Sequence, residues 1–216
     1  MKPIVAQVVW MAVVAVGAIA FALPEIFRKN EKINKRYRGY FVNLGIVICL
    51  LGGLLAPFSP QPRVTGVLRM IFMAVGAPLT ALSLYLMSAP SVPLLRAIGV
   101  EQAPRDKLVT TGIYSKMRNP IYTGCIIGQI GWAMVWGAVY TLFLMPIFDF
   151  LACLAVVKFL EEPMLTKLFG EEYRRYKEQV PAFFPLPFKV ALILLAIAVI
   201  VLASAGLIPL TGGANE

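Results

Sequence analysis

Two short stretches of the chain hold the side chains with the most chemistry. The first contains Tyr114, Arg118, Asn119, Pro120 and Tyr122, and the second opens on the paired acids Glu161 and Glu162. Between them lies an unbroken apolar run, 121–160, too long for one membrane crossing of about 20 residues. Gly131, Gly137 and the aromatic group Trp132, Trp136 and Tyr140 mark a tight turn near position 137, so the run is expected to fold as a helical hairpin. A turn centred near 138–139 pairs residues whose numbers add to about 278. That puts Arg118, Asn119 and Tyr122 beside Glu161 and Glu162 at one mouth of the hairpin.

Pro120 suits the first turn of a helix, where its missing N–H costs little, and Pro163 is expected to open a new helix in the same way. Open N–H groups at a helix start favour an anion such as a carboxylate. Paired acids favour a cation, so together they suit a zwitterionic amino-acid moiety. The same spacing equally describes a salt bridge at the helix ends, Arg118 with Glu161 or Glu162, that fixes the loops.

The rest of the composition says what must position these groups. Of 216 residues, 59% are hydrophobic and 14% charged, and mean hydropathy is +0.79. Soluble domains are about 45–50% apolar and about 25% charged, so this is the balance of an integral membrane protein. There is no histidine, which removes the commonest metal ligand and general base. Cys49, Cys125 and Cys153 sit in apolar runs without CxxC spacing, indicating neither a disulfide framework nor a metal site.

Six spans are expected, at 4–23, 40–58, 64–87, 121–137, 138–160 and 190–210, forming one membrane domain over residues 1–216. The basic residues following the first span exceed the single Lys2 before it, the wrong polarity for a cleaved signal. Segments 24–39, 88–120 and 158–189 hold seventeen of the twenty Lys and Arg residues. By the positive-inside rule these segments face the cytoplasm and both termini face away from it. The net charge of +9 is then a matter of topology and anionic headgroups, without nucleic acid.

Three further features carry weaker signals. Asp149 falls mid-span, where a charge is costly; either a hydrogen bond to Gln129 or a substrate headgroup would explain it. Arg69 is close enough to a span end to snorkel. Apolar residues at 165, 168, 169, 173, 176 and 180 describe a helical face that Gly170 interrupts, suited to lying on the membrane or to capping a site.

The spacing of Gly112, Tyr114, Arg118, Asn119, Pro120, Tyr122 and Gly124 resembles the signature of the isoprenylcysteine carboxyl methyltransferase family, whose wider relatives are phospholipid N-methyltransferases. Glu161 and Glu162, with Leu168, Phe169, Gly170, Tyr173, Tyr176, Val180 and Pro181, resemble its second block. The resemblance covers a catalytic region of about 108–185. It departs at Asn119, where the best-known members carry histidine; asparagine still makes hydrogen bonds but does not titrate.

The resemblance implies an all-α integral membrane protein: about six transmembrane helices, a helical hairpin and a cytoplasmic cofactor-binding cap. It implies S-adenosylmethionine as methyl donor, held without a Rossmann fingerprint by Tyr114, Arg118, Asn119, Pro120, Tyr122, Gly124, Glu161 and Glu162. Arg118 and Glu162 would be the catalytic pair. The implied partner is a membrane lipid or lipidated acceptor, an isoprenylcysteine carboxylate or a phospholipid amine, with no metal and no nucleic acid. A polar donor from the cytosol and a lipidic acceptor from the bilayer would need two entrances. Gly124, Gly128 and Gly131 on the fourth span could permit close approach there, or serve helix packing alone. The competing readings are an NADPH-dependent membrane reductase, since sterol reductases carry a similar arginine–proline–tyrosine block, and a non-enzymatic scaffold.

Overall fold

The computed structural model describes residues 2–26, 44–89, 108–184 and 210–211. Segment 24–39, most of 88–120 and the sixth span fall largely outside these residues. Six helices carry the described chain: α1 (Pro3–Ile26), α2 (Leu44–Phe58, its last turn a 3-10 helix), α3 (Gly66–Ser88), α4 (Pro120–Trp136), α5 (Val139–Val156) and α6 (Glu162–Gln179). A five-residue π-helical turn, Val157–Glu161, joins α5 to α6. Two-residue strands β1 (Arg63–Val64) and β2 (Leu210–Thr211) pair antiparallel.

The chain is an all-α membrane protein. Three helical stretches, Ile4–Leu23, Gly66–Ser88 and Val139–Gln179, are long and apolar enough to cross a bilayer, and Leu44–Phe58 is a shorter apolar helix. Their outer faces are apolar: Val67 is 74% exposed, Met70 69%, Leu84 65% and Ile147 60%. Water would penalise such a surface, whereas acyl chains match it.

Glycine sets the close crossings. A Cβ on Gly76 would lie 2.6 Å from Gly131 O, and one on Gly131 would lie 2.7 Å from Thr80 N. Gly124 meets Leu86 and Met87 in the same way. Helices α3 and α4 therefore run against each other along their length, backbone to backbone. Gly17, Gly45 and Gly52 perform the same service between α1 and α2.

The α4–α5 hairpin forms where expected. Gly137 ends α4 at φ 61°, ψ 27°, a left-handed conformation that favours glycine, and its N–H and that of Ala138 return to carbonyls of the last turn. The third span begins later than expected, at Gly66, because Arg63–Val64 is drawn into the ladder with β2.

Pro163 stands in the first turn of α6, as expected. What the sequence does not announce is the connection: the π turn Val157–Glu161 joins α5 to α6 without a loop. This turn accommodates the proline. There the Glu162 N–H reaches back five residues to Val157, so the hydrogen-bond ladder is already displaced where Pro163 has no donor. Gly170, at φ 56° and ψ −124°, does interrupt α6 as its type suggests.

At the end of the bundle holding the α4–α5 turn, neutral polar groups knit the helices. Gln7 Nε2 donates to Ser59 Oγ at 2.7 Å, Gln61 Nε2 to Thr141 Oγ1 at 3.0 Å, and Thr141 N to Gln61 Oε1 at 3.0 Å. Thr141 Oγ1 also donates to Gln7 Oε1 at 3.2 Å. All four residues are buried. The start of α1 and the Leu210–Thr211 strand thus share the end of the molecule opposite Arg118.

Candidate active site

The site is built at the open mouth of the hairpin, where α4 begins and the π turn ends. Met117, Leu86, Ile126, Ile127 and Val157 form the apolar floor beneath it, completed by Phe183 and Phe184. Those two phenylalanines arrive because the chain after α6 turns back along the residues ahead of α4. Arg118 N donates to Pro181 O at 2.9 Å and Asn119 N to Ala182 O at 3.0 Å. Phe183 then packs edge-on against Phe150 of α5, with ring centroids 5.5 Å apart.

Arg118 is the hub. Its Nε donates to Val180 O at 2.9 Å, and its Nη1 to Glu162 Oε1 at 2.8 Å and to Tyr173 OH at 3.2 Å. The Arg118 and Glu162 side chains are only 8% and 11% exposed. Glu162 receives a second cation, Lys177, on its other oxygen. Burial works against ionisation of Glu162, but the hydrogen bonds and charges of Lys177 and Arg118 outweigh it and hold its carboxyl below the usual glutamate range. A carboxylate held ionised by two cations is a poor proton acceptor; its chemical contribution is to fix Arg118.

Glu161 faces a different partner. Tyr122 OH donates to its Oε1 at 2.6 Å. Tyr114 lies near enough to feel the same charge: burial first, then Glu161, raises its phenol pKa. Tyr176 OH donates to Tyr114 O at 2.7 Å, tying α6 to the 3-10 turn Gly112–Ser115. Burial raises the pKa of both Tyr173 and Tyr176, so both phenols remain proton donors.

The structure therefore brings Tyr114, Arg118, Tyr122, Glu161 and Glu162 into one cluster. Asn119 adjoins it, but its Nδ2 donates to Ala182 O at 2.9 Å and so anchors the returning segment. Pro120 occupies the first turn of α4, buried. Gly124 is directed elsewhere: its open face is filled by α3, so its role in this structure is helix packing, as it is for Gly128 and Gly131. The hydrogen bond between Gln129 and Asp149 does not form among the described residues. Gln129 Oε1 is buried without a partner, and its amide lies over Gly53 of α2, which has no side chain to exclude it. Lys177 and the Phe183–Phe184 return are the parts that sequence reasoning missed. The i to i+15 spacing of Glu162 and Lys177 gives no local signal across the Gly170 break.

An amino-acid moiety fits this donor set. Two N–H groups on Arg118 Nη2 have no partner among the described residues, since Nε and Nη1 carry its hydrogen bonds. No side chain caps the start of α4, and uncapped first-turn N–H groups favour a carboxylate. Glu161, which accepts from the neutral Tyr122 hydroxyl, supplies the negative charge that an ammonium or sulfonium requires.

The sequence profile of phospholipid methyltransferases matches residues 64–172. The chain belongs to this family. The matched residues run from the start of α3 through both glutamates and the first half of α6. A curated relative, the protein-S-isoprenylcysteine O-methyltransferase of Schizosaccharomyces pombe, is 35% identical over 81 residues, covering 37% of this chain. The match spans about a third of that relative's length. No solved structure matches the chain.

Proposed function

We propose that this protein is a membrane methyltransferase that takes its methyl group from S-adenosylmethionine and delivers it to a lipidic acceptor at the mouth of the α4–α5 hairpin. Its membership of the phospholipid methyltransferase family, whose matched residues contain both glutamates and Arg118, carries this reading. The bound donor would supply a methyl group already activated on a sulfonium, so no metal or strong general base is required. The protein's part is orientation. Arg118 and the start of α4 hold a carboxylate, Glu161 sets the local negative charge, and Tyr114, Asn119, Pro120 and Tyr122 complete the wall. Glu162 acts on Arg118, keeping its guanidinium in one place and in one charge state.

The acceptor is proposed to be the carboxylate of a prenylated cysteine, in keeping with the 35% identical relative. A carboxylate is already ionised near neutral pH and needs no base to attack. The family's description as phospholipid methyltransferases favours a second acceptor, a lipid amine. The wider architecture belongs to the same proposal: six spans in one domain, a cytoplasmic site capped by α6, and both termini on the far side. The acceptor then reaches the site from the bilayer through a gap between helices.

Titration of the purified protein with S-adenosylhomocysteine and with NADPH tests the class of reaction. Saturable binding of the first alone is expected; binding of NADPH alone would replace the proposal with a reductase. Transfer of labelled methyl from S-adenosylmethionine to a farnesylated cysteine or to phosphatidylethanolamine then separates the acceptors.

A further inference from the structure

A second polar site lies at the opposite end of the bundle. Helix α4 is 17 residues long, so its two ends stand roughly 25 Å apart. Beside the far end is a pocket of about 520 Å³ lined by Phe58, Arg63, Val64, Thr65, Gly66, Arg69 and Trp136. Arg63 donates through Nη1 to Trp136 O at 3.2 Å and through Nη2 to Pro57 O at 2.8 Å. Arg69 donates through Nη1 to Met134 O at 3.3 Å. Those three bonds cap the last carbonyls of α2 and α4. A guanidinium has five N–H donors, so capping takes up only three of the ten on this pair. Among the described residues no carboxylate pairs with either arginine.

Among the described residues, the surroundings add donors and no negative charge. Helix α3 starts at Gly66, at the pocket wall, and no side chain caps it. Its exposed first N–H groups carry the positive end of a 23-residue helix. Trp136, also in the wall, has a buried indole N–H without an acceptor among the described residues. Phe58, Trp132 and Trp136 stack edge to face around the site, with Phe58 and Trp136 centroids 4.5 Å apart, which is the aromatic setting of a headgroup region. Val67 and Met70, interleaved with the arginines, are the most exposed apolar residues of α3.

We propose that Arg63, Arg69 and the start of α3 form a binding site for a phosphate ester, and that the apolar surface beside it makes a membrane phospholipid its source. Arginine's planar fork matches phosphate oxygens, and a helix start presents N–H groups to the same anion. This site is separate from the proposed methyl-transfer site and does not depend on it.

The full-length protein, purified in detergent, would be exposed to micelles doped with dioleoylphosphatidic acid or with dioleoylglycerol, which has the same chains and no phosphate. Native mass spectrometry reads the retained lipid. Wild type should retain phosphatidic acid and not dioleoylglycerol. Arg69→Gln should lower occupancy at least fivefold and Arg63→Gln/Arg69→Gln at least tenfold, with partial recovery in Arg69→Lys. Millimolar inorganic phosphate, followed by thermal protection, separates the sources. Arginine-dependent protection without lipid retention keeps the phosphate site but assigns it a soluble ligand. Equal retention of the two lipids by wild type would overturn the proposal even if the double variant does not fold. Equal retention of phosphatidic acid by wild type and folded variants would overturn it too.

Discussion

The two ends of the α4–α5 hairpin solve the same problem with different chemistry. Each must bury polar groups where helices stop. At the turn end, Gln7, Ser59, Gln61 and Thr141 are neutral, buried and mutually hydrogen-bonded. At the open end, Arg118, Glu162 and Lys177 are ionised, and Arg118 retains donors beyond its internal bonds. A neutral network that satisfies itself fixes a fold and asks nothing of a ligand. A charged network with unused donors is costly as mere structure, because buried ion pairs seldom stabilise more than apolar packing would. The contrast is the physical reason to place methyl transfer at the open end; at the turn end the unused donors belong to the Arg63–Arg69 pocket, outside this neutral network.

The largest effect should come from breaking the charged end. Glu162→Ala leaves the Arg118 guanidinium without its carboxylate in a nearly buried setting. The expected cost is about 3–5 kcal/mol of stability. S-adenosylhomocysteine affinity should fall by roughly ten- to 150-fold, corresponding to about 1.5–3 kcal/mol for a charge-assisted hydrogen bond. Chemical unfolding and calorimetric titration measure the two effects. Retained affinity in Glu162→Ala and in Arg118→Ala would move the cofactor elsewhere and remove the proposed meaning of the contrast.

The neutral end should behave in the opposite way. Gln61→Leu strands the Thr141 N–H, while the hydroxyl keeps Gln7 Oε1, and should cost about 1–3 kcal/mol at the usual penalty for an unpaired buried group. Cofactor affinity of the folded fraction should not change. Loss of affinity together with stability would mean that the two ends are coupled and that the division drawn here is false.

The sequence carried the charged end more clearly than the neutral one. A hairpin folded at Gly137 pairs Arg118 with the glutamates by simple counting, because both groups border one apolar run. The Gln7–Thr141 contact joins residues 134 apart, on α1 and α5, and no periodicity announces it. The π turn was equally hidden: Pro163 marks the start of α6 but does not show that a helical turn joins it to α5. Gln129 and Asp149 show the limit of counting. They fall opposite one another by number, but Gly53 on a third helix offers the Gln129 amide another place.

The glycine crossing between those ends should respond more gently. A methyl group at Gly131 would press on Thr80 N and Gly76 O at 2.7 and 2.8 Å, so α3 and α4 must part slightly. Gly131→Ala should cost about 1–2 kcal/mol, in the range for overpacking. If α3 and α4 only hold the site in place, thermal stability should drop while cofactor affinity stays within a few-fold. A large loss of affinity at full stability would instead put Gly131 in the binding surface, reviving the role considered for the glycines of this span.

The smallest effect should come from Lys177, which shares Glu162 with Arg118 but has a side chain 46% exposed. Water screens a half-exposed ammonium, and such pairs contribute about 0–1 kcal/mol, so Lys177→Met should leave the fold almost unchanged. Its removal is more visible in pH dependence. The folded-state pKa of Glu162 lies below its unfolded value, so this group's contribution is fully present above about pH 4.3 and fades as pH falls through the folded value. Lys177→Met removes one of the two cations that depress that pKa. The acid limb of the thermal-stability profile should therefore move to higher pH, while Glu162→Gln should lack this limb altogether. Coincident acid limbs in wild type and Lys177→Met would show that Arg118 alone holds Glu162 ionised. The charged end would then reduce to a single buried pair with a solvated neighbour.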